Sequence, residues 1–177
     1  SNLLGFPYFA LHTKGLAKRK YIQVTGSKYL PDGSRREFSL TVSRNSQRFY
    51  PGPLARKIHY ALNDIVQERQ AGTDPSRLES PAVFTWRNLH ERMEVAYHGA
   101  TSIKRAKNAI FDTLGATVFT DYAFMHRVDE SRRTMPSRET GYHLYEKCIF
   151  INDPTPGGGT SDKNAVYLAD WYIGNQY

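Results

Sequence analysis

The sequence has little cysteine and no long apolar run, and both shortages exclude whole classes of protein. Its 177 residues include a single thiol, Cys148, which cannot form a disulfide within the chain and removes every zinc site built from several cysteines. Such a chain is typical of a reducing compartment, so the sequence predicts a cytoplasmic protein. No stretch approaches the roughly 18 apolar residues of a membrane helix, mean hydropathy is -0.59, and the start lacks the pattern of a signal peptide.

Acidic residues are also in short supply. The 17 Asp and Glu residues face 24 Lys and Arg, which leaves a net charge of +7. A chain with this excess often binds a polyanion, and nucleic acid is the first candidate; the alternative is a basic surface without a partner. The 9 Phe, 12 Tyr and 2 Trp allow a sizeable core, which excludes a largely disordered chain.

The N-terminal part predicts an arm followed by a β-hairpin. Residues 3–13 are apolar but contain a proline, which favours an extended arm over a helix. Residues 21–25 and 38–42 alternate β-branched and aromatic side chains with polar ones. Asp32-Gly33 between them is a strong turn signal, so the two segments predict a hairpin.

Three helices are predicted after the Pro-Gly-Pro break at residues 51–53. The first begins at Pro53, because apolar residues then recur at helical spacing until near Gly72. A polar loop over 71–81 and a short strand over 81–84 lead to the second helix, with Thr85 as its N-cap.

The third predicted helix follows a turn over residues 97–99, with Thr101 or Ser102 as its N-cap and Gly115 at its end. Its inward residues recur every three or four positions; they are Ile103, Ala106, Ile110 and Leu114. Lys104, Arg105 and Asn108 then lie on the opposite face, with Lys107 near its edge.

Two aromatic-rich strands complete the pattern, over residues 117–126 and 141–151, on either side of a charged connector over 127–140. A Gly/Pro-rich loop follows, and then an apolar segment over 166–173. We expect this segment to pack on another surface, and sequence beyond the chain is one candidate. Ser1 in place of Met also predicts a fragment.

The order of these elements from residue 53 is helix, strand, helix, turn, helix, strand, loop, strand. This is the order of a winged helix, whose third helix enters the DNA major groove. The sequence therefore predicts an α+β fold in three parts: an arm and β-hairpin over 1–50, a winged helix with a long two-stranded wing over 51–152, and a loop and terminal segment over 153–177.

The predicted DNA-binding residues lie in two places. Cations, an amide and hydroxyls of the third helix can contact phosphates and base edges; they are Thr101, Ser102, Lys104, Arg105, Lys107 and Asn108. The connector adds Arg132, Arg133 and Arg138, which a wing carries to phosphates or the minor groove. The alternatives are a solvated helix face and a solvated hairpin tip, and Asp129 and Glu130 favour the latter. The basic run over 14–20 is either an arm that follows DNA or a solvated segment.

Signals for catalysis are poor. The six histidines are scattered, with no His-x-His pair and no helical i, i+4 pair, which disfavours a metal site. The glycine run at 157–159 lacks the lysine of a phosphate-binding loop. We predict no catalytic residue, no metal and no cofactor, and therefore no enzyme.

Several segments give the chain a family resemblance. They are Tyr8-Phe9, Lys18-Arg19-Lys20, the hairpin with Asp32-Gly33, Tyr50-Pro51-Gly52-Pro53, Gly99 to Ile110, Leu114 to Val118, and Leu168 to Tyr172. In these the chain resembles the plasmid replication initiator protein A family, bacterial initiators that bind origin DNA through winged-helix domains.

This resemblance implies recognition of double-stranded origin repeats without catalysis, recruitment of host replication proteins, and no membrane partner. In initiators with two winged helices, the first can serve mainly for dimerisation. The alternative function is therefore a dimerisation or protein-interaction module, of such an initiator or of a transcription regulator. Aromatic residues that could be exposed motivate it; they are Tyr122, Phe124, Tyr142, Tyr145, Trp171 and Tyr172.

Overall fold

The computed structural model describes residues 8–29, 33–69, 81–121, 125–127, 134–136, 140–152, 161 and 163–174. These residues form the predicted α+β fold, with helices packed on antiparallel sheets. The α-helices among them are α1 (Pro53–Arg69), α2 (Trp86–Arg92), α3 (Ala100–Leu114) and α4 (Asp170–Gly174). The strands are β1 (Tyr21–Tyr29), β2 (Arg35–Ser43), β3 (Ala82–Phe84), β4 (Thr117–Asp121), β5 (Met125–Arg127), β6 (Thr134–Pro136), β7 (Thr140–Tyr142), β8 (Tyr145–Ile149) and β9 (Asn164–Leu168).

The predicted N-terminal hairpin is confirmed and is part of a larger sheet. β1 and β2 pair along their whole length, with Tyr21 opposite Ser43 and Tyr29 opposite Arg35. Asp32 of the predicted turn lies outside the described residues, whereas Gly33 has a φ of +80°. β2 also pairs with β4, and β4 with β7, which gives the strand order β1-β2-β4-β7.

The single strand predicted over 141–151 is wrong, because the chain changes sheets at His143 and Leu144. β7 pairs with β4, whereas β8 pairs with β9 in a second sheet of order β3-β9-β8. Leu144 is buried, and its carbonyl accepts a hydrogen bond from the N–H of Ala169 at 2.9 Å. Beyond β4 and β7 the hairpin continues as β5 and β6, with Met125 opposite Pro136.

The boundaries of α1 and α2 follow the sequence signals where the structure describes them. α1 begins at Pro53 and buries one apolar face, including Ile58 and Leu62; its predicted end and the predicted loop over 71–81 lie almost wholly outside the described residues. β3 forms as predicted. Thr85 caps α2 as predicted, because its side-chain oxygen accepts the N–H of Asn88 at 3.2 Å.

Both ends of the described chain pack into one core. Tyr8 is buried, and its hydroxyl donates to the carbonyl of Thr113 in α3 at 3.1 Å, so residues 8–10 of the predicted arm belong to the core. The apolar segment predicted over 166–173 packs on this chain itself, as β9 between β3 and β8 and as α4. Strands from all three predicted parts therefore share sheets.

Candidate nucleic-acid interface

The start of α3 depends on a glycine. Gly99 precedes the first turn of α3 with φ +62° and ψ -132°. This conformation is strained for any residue that has a side chain. Its carbonyl accepts the N–H of Ile103 at 3.1 Å, which begins the helical hydrogen bonds. The prediction of Thr101 or Ser102 as the N-cap is therefore wrong, since the helix already includes both residues.

The polar face of α3 is exposed where the sequence predicts it. Thr101, Lys104, Arg105 and Asn108 are exposed, and Lys107 is half-buried at the edge. Ser102 is buried instead, and its hydroxyl oxygen accepts the N–H of His98 at 2.9 Å. This hydroxyl stabilises the turn before α3 and does not lie on the exposed face. The role of the exposed set in DNA binding stays a prediction.

The buried face of α3 is slightly rotated from the predicted one. Its buried residues are Ser102, Ala106, Ala109, Ile110 and Thr113, whereas Ile103 and Leu114 are only half-buried. Small side chains at 106 and 109 fit close packing against α1. The rotation leaves the predicted polar face open to solvent.

Charge is divided unevenly along α3. Its N-terminal half carries Lys104, Arg105 and Lys107 and no acid. The acid of the helix, Asp112, lies in the C-terminal half, where partial burial raises the pKa of its carboxyl. The N–H of Phe49, at 3.3 Å, and the charge of Arg48 oppose that rise in pKa. The N-terminal half of α3 therefore presents a positively charged surface.

A loop covers the C-terminal half of α3, and sequence reasoning missed it. Residues 44–52 connect β2 to α1, and the guanidinium of Arg48 lies 4.7 Å from the ring centroid of Phe111. Gly115 permits this approach, because a Cβ there would lie 3.0 Å from the Cβ of Asn45. Because Arg48 and Phe111 are far apart in sequence, no local sequence pattern predicts their contact.

Lys107, four residues before Phe111 on the same side of α3, has a similar aromatic partner. Its Nζ lies 4.6 Å from the ring centroid of Phe150, a buried residue that follows β8. The ring of Phe150 packs at 5.7 Å and edge-to-face on that of Phe111, and at 5.4 Å on that of Trp86. We call Trp86, Phe111 and Phe150 the aromatic cluster.

The other predicted basic segments are only partly described. Arg132, Arg133 and Arg138 lie outside the described residues, although the hairpin that carries them is seen in β4 to β7. In the basic run the cations Lys14, Lys18, Arg19 and Lys20 are exposed. A short 3-10 helix, Leu16–Lys18, lies within this run, and Arg44 holds it by donating to the carbonyl of Ala17 at 3.3 Å.

Among the described residues, histidines and acids form no group that could hold a metal ion. His59 and His90 are buried, and each is hydrogen-bonded within the core or its own helix. None of the described helices has the length and apolar character needed to cross a membrane.

The aromatic residues proposed for protein contacts fall into three groups. Tyr145 and Tyr172 are buried, so the expectation that they are exposed is wrong. Tyr142 and Trp171 are half-buried and stack with ring centroids 4.6 Å apart. Tyr122 and Phe124 lie outside the described residues.

Comparison with known proteins yields a fold but no family. The chain matches no family model and no curated protein. A solved structure of RctB domains 2-3 superposes with a TM-score of 0.55 and 6% identity, over 99% of this chain and 60% of that one. A second solved structure is of selenomethionine derivatives of domain 2 and domain 3 of RctB. It superposes with a TM-score of 0.52 and 8% identity, over 93% of this chain and 55% of that one. This likeness shows the fold alone, and the chain spans about 60% or less of the length of either structure.

Proposed function

We propose that this chain is the DNA-binding domain of a plasmid replication initiator, which recognises double-stranded origin repeats and does not act as an enzyme. The observation that carries the proposal is the helix order α2, turn, α3, in which the N-terminal half of α3 exposes cations and no acid. The likeness to RctB, a replication initiator, supports this class of function. Contact with host replication proteins is part of the proposal.

The winged-helix assignment is also part of this proposal. α1, β3, α2 and α3 follow each other as in winged helices, and the hairpin of β4 to β7 comes directly after α3. In this arrangement Lys104, Arg105 and Asn108 contact the major groove. As predicted from the sequence, Arg132, Arg133 and Arg138 are the further residues proposed to contact the adjacent backbone.

The test is a binding measurement with duplex DNA. A pool of random-sequence duplexes is enriched on the wild-type chain, and the selected duplexes are titrated by fluorescence anisotropy at several salt concentrations. The Lys104→Ala/Arg105→Ala double variant should bind about 10- to 100-fold more weakly, since each good base or phosphate contact contributes about 1–3 kcal/mol.

The control for this test removes one arginine and one lysine elsewhere. Arg56→Ala/Lys147→Ala takes away the same charge from the exposed side of α1 and from β8. Equal losses of affinity in the two double variants would show that α3 does not contact the DNA. No duplex binding by the wild type would overturn the proposed function.

The second candidate function is a dimerisation or protein-interaction module. One observation favours it: the outward face of the four-stranded sheet exposes Tyr21, Tyr29 and Phe119 by 60%, 77% and 52%. Strand alternation and register place Tyr21 and Tyr29 on the same face as Phe119. Sedimentation of the wild type and of Phe119→Ser should show a concentration-dependent mass that the substitution lowers. A strict monomer at high concentration would reject this candidate.

A further inference from the structure

We propose that Arg48 and Lys107 form a second pair of phosphate-binding cations, placed beside the α3 surface by the aromatic cluster. The inference rests on the proposed function, because it extends the same DNA surface. It adds a residue from the loop between β2 and α1, outside any helix-turn-helix pattern. The pair would contact the DNA backbone and so position α3.

Arg48 is held in place without using its hydrogen-bond donors. Its guanidinium packs over Phe111, and within the described residues it donates no hydrogen bond. Two other arginines use their donors within the fold, because Arg44 donates to two carbonyls and Arg92 pairs with Glu68. The N–H groups of Arg48 therefore remain available for a phosphate, which the guanidinium binds well because of its fork geometry.

The backbone around Arg48 is fixed on α3 independently of its side chain. The N–H of Phe49 donates to Asp112, and the carbonyl of Arg48 accepts from Arg44 at 3.1 Å. The N–H of Arg48 itself donates to the carbonyl of Asn45 at 3.1 Å, which closes a tight turn. Asp112 reduces the local positive charge, but its described hydrogen bond is to the Phe49 N–H, so it leaves the guanidinium donors free.

Lys107 repeats this arrangement with Phe150. Phe150 is buried and packs edge-to-face on Phe111, so the two cations lie against one continuous group of rings. A cation over an aromatic face gains about 0.5–1 kcal/mol at exposed sites. It also loses less side-chain entropy when it binds a phosphate, because its side chain is already ordered. The two cations are therefore pre-positioned for the phosphate backbone.

The experiment neutralises each cation and measures the salt dependence of binding to the duplexes selected above. Arg48→Gln and Lys107→Gln should each weaken binding several-fold and reduce the slope of log K against log salt by about one, the change expected for one lost phosphate contact. The matched controls are Arg56→Gln, whose guanidinium lies 5.5 Å from the ring of Tyr60, and Lys147→Gln, whose Nζ lies 4.2 Å from the ring of Tyr167.

A third variant separates position from charge. Phe111→Leu keeps Arg48 but removes the ring beneath it, so affinity should fall while the salt slope stays that of the wild type. Thermal melting confirms that each variant is folded at the temperature of the titration.

The outcomes separate this inference from the proposed function. If Arg48→Gln and Lys107→Gln match their controls while Lys104→Ala/Arg105→Ala loses affinity, the inference is wrong and the proposed function stands. If the wild type binds no duplex, both are wrong. A reduced salt slope in both variants, absent from both controls, supports the inference.

Discussion

The hydroxyl of Tyr172 lies 2.8 Å from Nε2 of His59, which joins α4 to α1 inside the core. The amide nitrogen of Asn63 lies 3.2 Å from the same Nε2, and an amide nitrogen can only donate. Nε2 therefore accepts, and the ring proton is on Nδ1, which lies 3.3 Å from the hydroxyl of Tyr145. His59 is thus a neutral residue that connects α1, β8 and α4.

This arrangement predicts that the protein loses stability in acid. Burial lowers the pKa of His59 from 6.5 to about 3, so the folded ring stays neutral where the unfolded ring takes up a proton. His59 should cost no stability above pH 6.5 and about 1.4 kcal/mol for each unit that the pH falls from there towards 3. Urea unfolding at a series of pH values measures this slope.

The matched variants for that measurement are His59→Gln and His98→Gln. The first removes the buried imidazole and should flatten the dependence of unfolding free energy on pH over this range. The second removes an exposed imidazole and should leave the slope of the wild type. An unchanged slope in His59→Gln would show that other groups cause the acid sensitivity.

The start of α3 predicts a glycine requirement. Gly99→Ala should destabilise the fold by about 1–3 kcal/mol, because its φ of +62° strains any residue with a Cβ. Outside the adjacent residues, no atom lies within 4 Å of the position of that Cβ, so a clash with another part of the fold cannot explain the loss. Gly141→Ala is the control, since the Cβ there meets nothing closer than 3.5 Å. Denaturant titration of both variants measures the difference, and equal stability would argue against strain at Gly99.

The two candidate threonine caps predict opposite results. Thr85→Ala should cost about 1 kcal/mol, because it removes the oxygen that accepts the N–H of Asn88. Thr101→Ala should change stability by no more than about 0.5 kcal/mol, since Thr101 is exposed inside the first turn of α3. Urea unfolding compares the stability of the two variants. A larger loss of stability in Thr101→Ala than in Thr85→Ala would show that Thr101 caps α3, as the sequence predicts.

Much of the fold could be predicted because its signals are local. The hairpin of β1 and β2 follows from alternating residues on either side of Asp32-Gly33, and α1 follows from helical spacing after Pro53. The exposed set on α3 follows from the same spacing. Thr85 was predictable as a cap because capping joins atoms three residues apart.

The arrangement of the strands could not be predicted in this way. A period of two tells which side chains share a face, but it does not tell which strand lies alongside. The pairing of β2 with β4 and the change of sheet at Leu144 depend on hydrogen bonds between distant segments. The same limit applies to Arg48, whose ring partner Phe111 belongs to another element.

The sequence by itself determined the α+β composition, the order of the helices and the polar face of α3, because spacing, caps and turn residues act over a few positions. The tertiary structure alone decided that His59 is a neutral core residue and that the C-terminal segment is its partner. It also decided that Arg48 and Lys107 lie on one aromatic cluster. These outcomes depend on the desolvation and packing of residues distant in the chain, which no local pattern encodes.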